Sequence, residues 1–154
     1  MARRALPFLL IAATAAFSEC GDRGLEVMLS QDLPPRVTRV AGSDSVDCTA
    51  TIRAHIGGTG KGIQVAWRRM HLGASDPQTH ASLWHLDVDQ AGAAERMGGD
   101  GLGRLESRTV ELTLRLPRPA HASVMVVYQT LPQGGLVRDG VSGASTAFPC
   151  IPAE

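Results

Sequence analysis

Between Val46 and Ile56 the chain alternates without a break. Val46, Cys48, Ala50, Ile52, Ala54 and Ile56 are apolar, and Asp47, Thr49, Thr51, Arg53 and His55 between them are polar. Period-two alternation of this length fits a β-strand with one buried and one wet face. A helix would scatter the same apolar residues around its circumference. A second layer has to cover the apolar face.

The pattern recurs along the chain. Gly57-Gly58-Thr59-Gly60-Lys61-Gly62 reads as a loop, after which Ile63, Val65 and Trp67 resume the alternation; the two runs read as antiparallel neighbours. Val110, Leu112, Leu114 and Leu116 alternate with Thr109, Glu111, Thr113 and Arg115, and Pro117-Arg118-Pro119 ends that strand. Ser123 to Thr130 is apolar on both faces, with Val124, Val126 and Tyr128 against Met125 and Val127, which predicts a central strand. Leu83 to Val88 and a short Ser145 to Cys150 are further strands. Leu25 to Leu29 and Arg36 to Val40 flank Asp32-Leu33-Pro34-Pro35 and read as one first strand broken by a proline kink. Asp87 to Arg104 is glycine-rich, with a single helical turn at Ala93 to Met97. About seven short strands separated by turn signals predict an all-β sandwich.

The 154 residues suffice for one domain. Fifteen Lys and Arg balance fifteen Asp and Glu, which excludes a general nucleic-acid binder with its basic excess. A hydrophobic content of 44% excludes a disordered chain.

The first residues read as an address rather than as fold. Arg3 and Arg4 precede an apolar run from Ala5 to Phe17, which is shorter than a membrane span needs. That layout predicts a secretory signal peptide over 1–18, a short tether over 19–24 and the folded domain over 25–154. Small residues at Ala16 and Ser18 suit cleavage before Glu19. Cys20 lies where a bacterial lipoprotein carries its lipidated cysteine, although Glu19 stands where the lipobox has a small residue. Cys20 is therefore the lipidation candidate, and a membrane tether through it is the expected membrane contact.

Leu25-Glu26-Val27-Met28-Leu29-Ser30, then Cys48-Thr49-Ala50-Thr51-Ile52, then Val65-Ala66-Trp67, resemble bacterial immunoglobulin-like domains. The similarity covers residues 25–67, and the later strands follow it in number and pattern. It implies an immunoglobulin-like β-sandwich with Trp67 buried on its third strand. The Tyr-x-Cys of antibody-type domains is missing, because Thr130 follows Tyr128 at that spacing.

Each chemical motif has a plainer reading beside it. Lys61 sits among glycines, but Gly62 replaces the hydroxyl residue a phosphate loop needs and a strand follows instead of a helix. His71, His80 and His85 are the metal candidates; their spacing suits neither one helix face nor one strand, so solvated loop histidines are expected. Only His85 and Asp87 share a strand face. Asp87 and Asp89 open a calcium-like loop that lacks its later oxygen ligands. No Gly-x-Ser-x-Gly elbow and no His-Glu-x-x-His motif occurs, so no catalytic residue and no cofactor are assigned. Trp67 has the phase of a core residue, while the phase of Trp84 is open.

The expectation is thus an exported, non-catalytic binding or scaffolding domain of the bacterial cell envelope, meeting a protein or other envelope partner through loops and strand edges. The alternative is a small periplasmic metal-binding protein using His71, His80 and His85. Three cysteines allow Cys48–Cys150, Cys20–Cys48 or Cys20–Cys150. Cys48 is inward on its strand and Cys150 shares phase with Phe148, which makes Cys48–Cys150 the disulfide candidate.

Overall fold

In the computed structural model of the protein, residues 26–57, 64–103, 105–131 and 141–153 are described. The expected signal peptide and tether, Cys20 and Lys61 lie outside them. The alternating run forms β3 (Val46–Gly57), the middle of the first of two antiparallel sheets. On one side β3 pairs along its length with β7 (Ser107–Leu116), with Cys48 opposite Leu114 and Ile52 opposite Val110. On the other side lie β1 (Glu26–Gln31) and β2 (Arg36–Arg39), which pair with the two halves of β3. They are one broken strand. Pro34 and Pro35 cannot donate to the ladder, and the break falls on them at an edge, where proline is tolerated.

The second sheet runs β5 (Ser82–Val88), β4 (Gln64–Ser75), β8 (Ala120–Leu131), β9 (Val141–Cys150). The two-residue β6 (Gly101–Leu102) pairs with the start of β4 on the β5 side. Between β5 and β6 the chain forms α1 (Gln90–Arg96), where Asp89 caps the first turn by accepting from the Gly92 N–H at 2.9 Å. Gly98, at φ 71, ends the helix in a left-handed conformation that most side chains disfavour. Ala93 and Met97 are buried, and the Met97 carbonyl accepts from Arg108 of β7. The short helix therefore bridges the two sheets. No helix among the described residues is long and apolar enough to cross a membrane.

The two sheets pack face to face, as the all-β sandwich expectation requires. Val46, Cys48, Ala50, Ile52 and Ala54 of β3 and Leu112, Leu114 and Leu116 of β7 meet Trp67, Met70 and Leu72 of β4 and Val124, Val126 and Tyr128 of β8. All are almost fully buried, and each Leu, Ile or Val side chain contributes about 1.5–3 kcal/mol through that burial. A disulfide joins Cys48 on β3 to Cys150 on β9, with Cα atoms 5.6 Å apart.

Several expectations need correction. The runs ending at Ile56 and starting at Ile63 are not neighbours: β3 and β4 belong to different sheets. Each strand has one apolar face, and stacking the two faces buries both, which edge-to-edge pairing would not do. β4 runs on through Ser75, well past the Val65 and Trp67 whose alternation marks it in the sequence. A bulge at Arg68 shifts its register against β8, so the inward positions change from Val65 and Trp67 to Met70, Leu72 and Ala74. β8 is interior by pairing, yet its outer face is open, with Met125 39% exposed. β9 begins at Val141, four residues earlier than expected. Nine strands form where about seven were expected, because the broken first strand counts twice and β6 adds a short piece.

Candidate functional site

Two regions of the sandwich surface gather chemistry-bearing groups. The first is the outer face of the second sheet. The bulge at Arg68 turns His71 outward, and the β4–β5 register puts it opposite Asp87, with Gly73 opposite His85. His71 Nδ1 and Asp87 Oδ1 stand 2.5 Å apart. The hydrogen bond to His71 holds the Asp87 carboxyl below the usual carboxylate range; the charges of His71, His85 and Arg69 act the same way, and partial desolvation opposes them. Across β4, Met125 lies opposite His71 and Ser123 opposite Gly73.

His71 and His85 are therefore strand residues on one exposed sheet face; for His71 this corrects the expectation of a loop histidine. Their spacing within the chain hid this, because two antiparallel strands bring them together. His80 is elsewhere, in the turn between β4 and β5, with φ 59. Asp76 shapes that turn by accepting from the Gln78 and Thr79 N–H groups at 2.9 Å each, and it also pairs with Arg118. Among the described residues no three His, Cys, Asp or Glu side chains stand close enough to hold one metal ion. Asp89, the second acid of the calcium-like stretch, is committed to capping α1.

The second region is the end of the sandwich where β4, β7 and β9 begin and β3 and β8 finish. A cleft of about 250 Å³ opens there among Gln64, Ala66, Asp100, Gly101, Gly103 and Leu131. It is smaller than the roughly 300–1,000 Å³ of sites that enclose a drug-sized ligand. Its floor depends on β6, where the Trp67 N–H donates to the Asp100 carbonyl at 2.8 Å. At Gly101 the strands approach so closely that a methyl group would fall 1.8 Å from the Val65 carbonyl oxygen. At the bulge, Arg68 donates to Gln129 and Gln90 and so ties β8 to the start of α1. Nearby, Glu106 accepts from the Gly103 N–H and pairs with Arg108, contacts that hold its carboxyl below the usual range.

The tryptophans separate clearly. Trp67 is fully buried, and its indole N–H has no acceptor, an uncommon cost for a core residue. Trp84 lies opposite the inward Ala74 and packs against the core while half-buried at the sheet edge, which leaves little of it free for stacking on a ligand.

No protein-family model and no curated protein matches this sequence.

Proposed function

We propose that the chain is an exported immunoglobulin-like binding domain, held at a bacterial membrane through its N-terminal segment and without catalytic machinery. The observation that carries this reading is the disulfide. Cys48–Cys150 uses two of the three cysteines and leaves only Cys20, the one that follows the apolar Ala5–Phe17 run. Disulfides persist in oxidising compartments, and the bridge is compatible with export. The leftover cysteine then has a chemical use as a lipid attachment point.

Strand order supports the immunoglobulin-like part. β1/β2–β3–β7 and β5–β4–β8–β9 correspond to the A-B-E and C′-C-F-G orders of that fold, with a buried Trp on the C-equivalent strand. The bridge differs from the antibody type, since it reaches the last strand instead of the one before it. Binding through the surface suits a sandwich whose cleft is too small to enclose a drug-sized ligand.

Intact mass of the protein from native membrane and soluble fractions, before and after reduction, tests the reading. The expected species begins at Cys20, carries a diacylglyceryl group and gains two hydrogens on reduction. A full-length, reduced species in the cytosolic fraction overturns it.

A further inference from the structure

We infer that the end of the sandwich from which β1 starts lies on the lipid bilayer, with Leu105 and Val141 seated in the interface. The inference rests on the tether at Cys20 proposed above. The six Cα-to-Cα steps from Cys20 to Glu26 span at most about 22 Å when fully extended. β3, with its 12 residues, is roughly 36–40 Å long. A tether that short cannot run back along the strands, so the anchored end is the one where Glu26 stands opposite Gly57.

Among the described residues, that end also carries the two most exposed large apolar side chains. Leu105, two residues before β7, is 80% exposed, and Val141, the first residue of β9, is 64% exposed. Ser107 pairs with His55 and Val141 with Gln129, which puts both apolar residues level with the start of β1. Leu105 has φ 58, a conformation a bulky residue rarely takes, and its side chain gains no burial in return. Of the charged residues described beside it, Glu106 and Arg108 neutralise each other and Asp100 stays open. The opposite end presents Asp44, Asp76, His80 and Arg118, with Ile151 as its one large exposed apolar residue among those described. Apolar side chains next to an anchor suit the interfacial zone of a bilayer, and no excess of basic charge is needed to hold them there.

The test uses the full, lipid-bearing chain reconstituted in phosphatidylcholine vesicles. With Cys48 and Cys150 paired and Cys20 lipidated, one introduced cysteine is the sole free thiol and takes an environment-sensitive nitrobenzoxadiazole label. Leu105→Cys and Val141→Cys report the anchored end from two separate elements; Gln78→Cys reports the opposite end. The expected result is a blue shift at positions 105 and 141, unchanged by high salt, and none at position 78. No shift at 105 and 141, or a shift at 78, in protein whose mass retains the lipid overturns the inference and leaves the tether standing. A mass without lipid removes the tether and the inference with it. A shift already present in non-lipidated Cys20→Ala protein, free of detergent and vesicles, shows that protein covers this end, and also overturns it.

Discussion

The backbone N–H of Val27 donates to the phenol oxygen of Tyr128 at 3.1 Å, 101 residues further along the chain. The contact ties the edge strand β1 of one sheet to the interior strand β8 of the other, and both residues are almost fully buried. Tyr128→Phe leaves the Val27 N–H buried beside a ring edge. The expected loss is about 1–2 kcal/mol, read as a lower urea midpoint with an unchanged slope. Selective loss of amide protection in β1 would locate it, and an unchanged midpoint would count against the bond.

The Cys48–Cys150 bridge closes most of the fold into one loop, with a sequence separation of 102. Constraining so long a loop in the unfolded chain is worth about 4–5 kcal/mol. The double variant Cys48→Ala/Cys150→Ala should keep its β-type circular dichroism and lose stability of that order in guanidinium titrations. Equal midpoints for the variant and the oxidised parent would refute the estimate.

Asp87 is the group whose titration reports the outer histidine face. Its folded-state pKa is depressed, first by the hydrogen bond from His71. The ionised form is therefore favoured by folding, and its contribution is complete above the ordinary carboxylate range. It fades as pH falls through the depressed folded value. His71→Ala should move the Asp87 titration upward, toward that of a free side chain, when followed by carbon-detected carboxylate NMR. An unmoved Asp87 curve would show that the hydrogen bond is not formed in solution.

Gly101 has no room for a side chain, because the Val65 carbonyl occupies the space a methyl would take. Gly101→Ala should push β6 off β4, at a cost of about 1–3 kcal/mol. The Trp67 amide, which bonds to Asp100, should then exchange with solvent far faster than its neighbours on β4. Retained protection at Trp67 would mean that the two strands can separate without breaking that bond.

What the sequence made legible was local alternation, and the limits of that signal explain the misses. Val46 to Ile56 and Val110 to Leu116 declared their inward faces residue by residue, and Cys48 and Cys150 inherited their inward positions from those patterns. Pro34 and Pro35 marked the break in the first strand for a steric reason that acts on neighbouring residues alone. The length of β4 was not legible because the bulge at Arg68 reverses the parity after Trp67, and a one-dimensional reading cannot follow alternation across that change. Val141 to Ala144 carried little signal, since glycine, serine and alanine mark neither face strongly. Sheet membership of β3 and β4, and the meeting of His71 with Asp87, depend on long-range register, which no window of adjacent residues contains.

The disulfide has a mechanical side. A pull on the domain through its two ends enters before β1 and leaves after Cys150, and everything from Cys48 to Cys150 is shunted by a covalent bond. Between Glu26 and Cys150, the chain up to Cys48, with β1 and β2, is the part that can lengthen under that load. These two strands lie along one edge of β3 and would peel from it while the cross-linked remainder stayed closed. Under tension the molecule is thus a short extensible leader on an inextensible body.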